Sequence, residues 1–201
     1  SVFTYFTSIA AYNYFNNGGE SLLVARVVSG SFSSATSPIS GSNTSGSLLL
    51  ETLSEGTGMN SSSSLDANGA LASGSKENYR WQIVNSNTSS GTFDLLVRAG
   101  NDTTTTPTVL ETWTNLSLDP ETPNYVAKVI GDQTYNYASS GTSYYLEITG
   151  SYPVNSKYVR VKSVTSPTPG YFNNSGTFKS EYTSSIPLNG SGSFTGATGG
   201  I

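Results

Sequence analysis

The sequence predicts an α/β (α+β) fold, with a mixed-sheet core, few helices, a β-rich second region and long polar loops. Three observations lead to this prediction. Aromatic residues recur at helical spacing in residues 1–17, strand-like alternation precedes a short helical pattern in residues 109–131, and no helical periodicity follows Asp132. At 201 residues, the chain is long enough for one large domain or two small ones.

The first element is a predicted helix in residues 1–17 that buries an aromatic face. Asn16 to Gly19 supply residues that tolerate the left-handed conformation in which helices end. The apolar run Leu22–Val28 has the length of a buried strand, so this segment forms half of a parallel α/β layer. We interpret Arg26, inside that strand, as a structural anchor between two elements, with a contact between subunits and anion binding as the alternatives. The residues at helical spacing are Val2, Tyr5, Phe6 and Ile9, and Phe3, Ala10 and Tyr14 broaden the stripe.

Residues 29–78 are rich in Ser, Gly, Asn and Thr and form a predicted polar insertion. A segment of this composition buries little apolar surface, so we expect long loops or weakly ordered chain outside the core. Leu48–Leu53 is its one clear strand. Strands resume at Tyr79–Val84 and Thr92–Gly100, and the NSNTSSG sequence between them predicts a hairpin.

The next segment predicts a strand followed by a short helix. Residues from Val109 to Thr114 alternate in the way that places neighbouring side chains on opposite faces of a strand. Asp119 is the predicted N-cap, Pro120 or Pro123 the first helical residue, and Gly131 the left-handed stop. The apolar stripe of this two- to three-turn helix consists of Tyr125, Val126, Val129 and Ile130.

After Asp132 the pattern is that of a β-rich region covering residues 133–201. Tyr-rich strands are predicted at SYYLEITG and SKYVRVKSV, with a turn at SYPVN between them, and the Gly- and Ser-rich end of the chain from Pro167 is loop-like. The predicted domains are therefore an α/β core made of residues 1–28 and 79–132, the polar insertion 29–78, and this β-rich region.

Composition excludes several classes of function. The chain has no His and no Cys, which removes the usual general base, the thiolate nucleophile, the commonest zinc ligands and disulfides. A net charge of −4 and a pI near 4.7 argue against a nucleic-acid groove. Lys157, Arg160 and Lys162 lie close in sequence, and we interpret them as exposed strand residues, with an acidic neighbour as the alternative. The sequence as given shows no basic-then-apolar leader pattern and no apolar run of about 18 residues, so we expect no membrane insertion.

Two pairs of carboxylates lie close enough in sequence to be candidates for glycoside hydrolysis. We place Glu51 at the end of a strand and Glu55 in a loop, where neither position supports catalysis. We attribute Asp119 and Glu121 to capping of the following helix and to favourable interaction with its dipole. The NGSGSFTG sequence lacks the strand, the helix and the Lys of a phosphate loop, and the Asp residues are too dispersed for calcium. The sequence therefore predicts no catalytic, cofactor-binding or metal-binding residue, no cofactor and no enzyme activity.

Three blocks of this sequence resemble, in the same order, the contractile-tail sheath subunits of myophages, including those of the T-even kind. A looser similarity to a glycine-containing passage of the family covers Pro167 to Ile201. The matching residues of the first block are Tyr14, Phe15, Asn17, Gly18, Gly19, Val24, Arg26 and Val27. Those of the second are Leu116, Ser117, Asp119, Pro120, Pro123, Asn124, Tyr125 and Val126. Those of the third are Gly150, Tyr152, Pro153, Ser156, Lys157, Tyr158, Val159, Arg160 and Val161.

The resemblance implies a structural subunit that works without catalysis. Sheath subunits stack with copies of themselves, as hexameric rings, into a helical polymer around the tail tube, and contraction drives the tube through the host envelope. The implied partners are further copies of this chain, the tail tube protein, the baseplate and the tail terminator, without direct contact to nucleic acid. The implied location is the virion, after assembly in the host cytoplasm. Because family members are longer and the chain ends at Gly200–Ile201 without a closing element, we expect it to be a fragment.

A second hypothesis is a secreted or surface β-rich module that binds carbohydrate or mediates adhesion. The thirteen Tyr residues favour it, because exposed aromatic rings provide flat binding surfaces. Trp81 and Trp113 argue against it, since their positions in strands predict core packing, and an aromatic helix is foreign to a pure β-sandwich. The sheath hypothesis is the preferred one.

Overall fold

The computed structural model describes residues 6–23, 30–56 and 78–199 and confirms the expected fold class, a mostly β mixed α+β fold with few helices. The chain divides into two compact units, Ser1–Gly30 and Ser31–Ile201, and each is described by itself. The helices are α1 (Phe6–Asn16), α2 (Val126–Ile130) and α3 (Ser180–Thr183). The strands are β1 (Ser34–Ile39), β2 (Leu48–Glu55), β3 (Tyr79–Asn87), β4 (Thr92–Ala99), β5 (Val109–Ser117), β6 (Thr134–Ser140), β7 (Ser143–Thr149), β8 (Val159–Val164) and β9 (Gly190–Ser193).

The helix predicted for the first unit is present as α1, but its predicted burial is wrong. None of its residues is buried, and Phe6 is 88% exposed. The apolar residues surround the helix instead of forming one stripe, so its sequence does not define a single side for packing. The helix ends as predicted: Gly18 has a φ of 88°, and the amide of Gly19 donates to the carbonyl of Tyr14 over 3.0 Å. Most of the predicted strand Leu22–Val28, including Arg26, lies outside the described residues.

Two antiparallel sheets of the second unit pack against one hydrophobic core. One sheet has the strand order β1-β2-β8 and the other β5-β4-β3-β9. The Trp81 indole N–H on β3 donates to Ser37 Oγ on β1 over 2.7 Å and so links the two sheets. Trp81 and Trp113 pack against the core, as their strand positions predicted. Fully buried members from both sheets include Ala35, Leu48, Leu50, Ile83, Leu95, Val97, Val159 and Val161.

The sheets do not follow the predicted domain boundaries. Strand β2 pairs with β8, and β3 pairs with β9, so each sheet combines segments from different predicted domains. The expectation that residues 29–78 lie outside the core is wrong for β1 and β2. In β1 the buried positions Ala35, Ser37 and Ile39 alternate with more exposed ones, a strand pattern that the average composition of the segment hides.

The predicted loop at the end of the chain contains a strand. Strand β9 has the sequence GSGS, which has low intrinsic strand preference, yet it pairs with β3 along four residues. Gly192 lies opposite Trp81, and a Cβ at this glycine would come within 2.6 Å of the indole ring. The ring therefore requires glycine here, and tertiary packing outweighs the local preference of the sequence.

The helix predicted after β5 is shorter than expected, and Asp119 does not cap it. Helix α2 begins at Val126, and Asp119 stabilises a separate turn: its Oδ1 accepts from the Glu121 amide over 3.0 Å, and its Oδ2 from the Tyr171 amide over 3.1 Å. Gly131 ends the helix at φ 105° and ψ 150°, which is an extended conformation with positive φ and not the left-handed one predicted. The predicted apolar stripe of the helix does face the core.

We expect the protein to lose stability above about pH 10 through Tyr171. Burial raises the pKa of its phenol, and the hydroxyl donates to the Thr88 carbonyl over 2.6 Å. A phenol whose pKa is raised on folding contributes stability below its unfolded pKa, and this contribution is lost as the pH rises through the folded pKa. Urea midpoints measured from pH 8 to 11 should therefore fall less steeply for Tyr171→Phe than for the wild type. Tyr137→Phe, at an exposed position, is the control, and an unchanged slope in Tyr171→Phe would contradict the prediction.

Candidate interaction surface

The β6–β7 hairpin is the strongest candidate for a functional surface among the described residues. Its strands pair with each other in a two-stranded sheet and with no other described strand. A two-residue turn joins them, and Gly141 adopts a φ of 62° in its first position, a conformation that favours glycine. An isolated two-stranded hairpin is marginally stable in water, so the contacts at the base of this element contribute to its stability.

One face of the hairpin is apolar and exposed. Directly opposed residues of antiparallel strands share a face, and the register pairs Tyr135 with Ile148 and Tyr137 with Leu146. Tyr137 is 90% exposed and Tyr144, on the same face, is 82% exposed. We call this surface the apolar hairpin face; its members are Tyr135, Tyr137, Ser139, Tyr144, Leu146 and Ile148.

The opposite face of the hairpin is polar. It carries Thr134, Asn136, Glu147 and Thr149, with Ala138 and Tyr145 as its less polar members. Glu147 is the only charged residue in the hairpin, so the apolar hairpin face carries no charge. The apolar hairpin face has five large side chains. If each has an area of about 200 Å² when fully exposed, together they expose roughly 600 Å² of surface. Soluble monomers rarely expose a contiguous apolar patch larger than a few hundred Å².

The base of the hairpin is anchored by hydrogen bonds between side chains and backbone and by one close backbone contact. The Asp132 carboxylate accepts from the amides of Ser151 and Tyr152 over 2.9 and 2.7 Å, which closes the chain on both sides of the hairpin. Arg160 on β8 donates to the Asp132 carbonyl over 3.2 Å. A Cβ at Gly131 would lie 2.3 Å from the Cα of Val154, so the two segments pack directly backbone to backbone. The hairpin is therefore presented in a defined orientation within its unit.

A polar cleft of about 900 Å³ lies beside this base, lined by parts of β1, β2 and β8 and by the start of β6. Within it, Glu51 Oε2 pairs with Arg160, and Glu51 Oε1 pairs with Lys162 over 2.8 Å. The acidic neighbour considered for the basic residues of β8 is thus present for Arg160 and Lys162. Lys157 differs, because its described contact is a backbone amide that donates to Glu111 over 2.8 Å.

Glu51 and Glu55 both line the cleft, but the arrangement does not suit paired-carboxylate hydrolysis. Such chemistry needs one carboxyl group that holds a proton next to the substrate. Each oxygen of Glu51 is bound to a cation, which leaves neither placed to carry that proton. The second pair is not available either, because the Asp119 carboxylate binds two backbone amides.

Replacing Glu51 with Gln should lower the free energy of unfolding by about 1–3 kcal/mol. The change leaves the largely buried Arg160 and the partly exposed Lys162 next to each other without their shared counter-charge. Urea unfolding at pH 7 measures the effect. Glu55→Gln is the control at an exposed strand end and should change stability by less than about 0.5 kcal/mol. Equal effects of the two substitutions would show that the ion pairs of Glu51 add nothing.

A buried charged cluster, which was not among the predicted sites, lies on the face of the four-stranded sheet that points away from the core. Asp102, after β4, binds Arg98 Nε over 2.7 Å and Arg80 Nη1 over 3.3 Å, and all three side chains are almost fully buried. Burial and the neighbouring charge of Arg98 lower the pKa of Arg80, and Asp102 opposes this shift. The sequence did contain an indication of this cluster, because Arg80 and Arg98 are charged residues within two predicted neighbouring strands. We describe this cluster as structural.

The described residues contain no group of three or more acidic side chains arranged to hold a metal ion. No helix in the described ranges combines the length and the apolar character that a membrane crossing requires. The fold and the hairpin together define a β-rich α+β protein with an exposed, uncharged apolar surface. The chain matches no protein-family model, no curated protein and no solved structure.

Proposed function

We propose that this chain is a structural subunit of a phage contractile tail sheath. It polymerises with copies of itself, as stacked hexameric rings around the tail tube, and contraction of the polymer drives the tube through the host envelope. The observation that carries the proposal is the apolar hairpin face, an exposed and uncharged surface at the upper end of the size that soluble monomers expose, where such patches are often interaction sites. The subunit performs no catalysis and needs no cofactor.

The construction of the second unit supports a role in which subunits move as nearly rigid bodies. Its two sheets share one core, and a buried ion cluster fixes the outer side of the four-stranded sheet. The second and third blocks of the sequence that resemble sheath subunits meet near the base of the hairpin: the rings of Tyr125 and Tyr152, one from each block, lie edge to face with their centroids 6.4 Å apart. Rearrangement between many identical interfaces, with stiff subunits, is a physically reasonable way to produce a large movement.

The remaining partners and the location follow from the same proposal. In addition to copies of itself, the chain contacts the tail tube protein, and the polymer ends at the baseplate and the tail terminator. It has no direct contact with nucleic acid, in agreement with its low charge and acidic pI. Its location is the virion, after assembly in the host cytoplasm, and no membrane insertion is involved.

Electron microscopy of the complete gene product that contains this chain tests the proposal. Negatively stained samples should show tubes or stacked rings, and sedimentation should show particles far larger than a single chain. A gene product that remains monomeric at all accessible concentrations would rule the proposal out.

The exposed tyrosines favour one alternative, a surface module that binds carbohydrate. Aromatic rings that lie on an exposed face are suitable for stacking on sugars, and Tyr137 and Tyr144 have this exposure. Binding of the protein to a panel of immobilised glycans separates the two proposals. A monomer that binds a glycan, and loses binding on Tyr137→Ala, would favour the module over the sheath subunit.

A further inference from the structure

We propose that the apolar hairpin face is the surface through which each copy of this chain binds the next copy. The inference deepens the proposed function and rests on it for the identity of the partner. It assigns to the β6–β7 hairpin the contact between neighbouring subunits, in which the hairpin of one copy packs on a different surface of its neighbour. A contact of this head-to-tail kind generates rings or open helical polymers, whereas a face that pairs with itself generates closed dimers.

The area of the face is close to what a specific protein interface requires. Its exposed apolar side chains contribute roughly 600 Å², and a standard interface buries about 800 Å² on each partner. The surrounding backbone and polar edge of the hairpin would supply the remaining area. The two strands have no third described strand beside them, and a second copy seated on the face would add a packing layer to this two-stranded sheet.

The chemistry of the face favours a copy of this chain over a charged partner or a sugar. The face has no charged residue, so it offers nothing to pair with an acidic or basic ligand. Only 11% of the chain is charged, so the surface of a second copy brings little repulsion and little unpaired charge into the contact. Leu146 and Ile148 lie among the tyrosines and cannot form side-chain hydrogen bonds to sugar hydroxyls.

Two adjacent tyrosines provide a matched test, because Tyr144 belongs to the apolar hairpin face and Tyr145 to the polar one. Tyr144→Lys places a charge in the proposed contact and should raise the concentration needed for assembly at least 30-fold, roughly the effect of removing one central interface residue. Tyr145→Lys makes the same chemical change on the opposite face and should assemble within about threefold of the wild type. Both variants should melt close to the wild-type temperature, since Tyr144 is 82% and Tyr145 50% exposed.

A second measurement avoids any effect of the new charge on folding. Benzoylphenylalanine, a photo-reactive aromatic residue, is introduced at position 144 or at position 145 of the complete gene product. Illumination should join two copies from position 144 and give much less product from position 145. Equal or absent cross-linking at position 144 would overturn the inference.

The outcomes separate this inference from the proposed function. Tubes formed by Tyr144→Lys at the wild-type concentration would overturn the assignment of the hairpin and leave the sheath proposal intact. Cross-linking of two copies from position 144, in a protein that never forms tubes or rings, would support the hairpin contact and contradict the sheath proposal. An absence of both assembly and cross-linking would contradict the two together.

Discussion

Replacing Asp102 with Asn is expected to lower the free energy of unfolding by about 3–5 kcal/mol. The Asp102 carboxylate lies between the guanidinium groups of Arg80 and Arg98, at 3.3 and 2.7 Å, and none of the three side chains has appreciable contact with solvent. Asparagine keeps the shape of the side chain but removes its charge. Two buried guanidinium groups then repel each other across the sheet with no counter-charge between them, and the energetic cost of burying them is no longer offset.

The other contacts of the cluster explain why the loss cannot be repaired locally. Arg98 also donates to Gln82 Oε1 over 2.7 Å and to the Thr103 carbonyl over 2.8 Å, and these neutral acceptors do not supply a charge. Asp102 in addition accepts the Thr108 amide over 2.8 Å, so its carboxylate orders the turn between β4 and β5. A change at Asp102 therefore affects both the sheet and the turn that covers it.

Urea unfolding at pH 7, followed by tryptophan fluorescence, measures this effect because Trp81 and Trp113 lie in the same sheet as the cluster. Asp94→Asn is the matched control: it is the same substitution in the same sheet, in a carboxylate whose hydrogen bonds to Asn85 and Asn115 are exposed. It should cost about 1 kcal/mol or less. If Asp102→Asn costs no more than Asp94→Asn, the buried cluster does not have the structural importance assigned to it.

Gly131→Ala should lower the free energy of unfolding by about 4 kcal/mol, from backbone strain and from overpacking together. At φ 105° and ψ 150°, Gly131 has a conformation that is almost restricted to glycine. The new Cβ would also lie 2.3 Å from the Cα of Val154 and 2.4 Å from the carbonyl oxygen of Pro153. These are backbone atoms, so relief of the clash requires the hairpin base to separate from the 153–154 segment.

Gly141→Ala separates the two contributions to this prediction. Gly141, in the turn of the hairpin, also has positive φ, at 62°, but a Cβ there would meet no atom within 4 Å. It should therefore cost only the strain, about 1–2 kcal/mol. Thermal unfolding of both variants gives the comparison, and the difference between them measures the close approach at Gly131 together with the greater strain that its φ of 105° and ψ of 150° impose on Ala. Equal losses in the two variants would mean that the hairpin base is not packed as described.

Much of the local structure follows from the sequence alone. Alternation predicted strand β5, strand-like runs around the NSNTSSG turn predicted the hairpin of β3 and β4, and Tyr-rich runs predicted β7 and β8. The apolar stripe of α2 was also predicted from its residues. The termination of α1 at Gly18 and the α+β fold class were predicted correctly for the same reason. Each of these features depends on residues within a few positions of one another.

The tertiary structure alone decided which segments are buried and which surface remains exposed. The polar composition of residues 29–78 suggested a segment outside the core, yet β1 and β2 enter the core, and β2 pairs with β8, more than a hundred residues later. Strand β9 exists because β3 provides its hydrogen bonds and Trp81 needs a glycine opposite. The same holds for the apolar hairpin face: strand β6 was not predicted from the sequence, its pairing with β7 determines which residues share the face, and no described element covers them. Periodicity records local conformation, whereas burial depends on contacts between residues distant in the chain, which a local pattern does not contain.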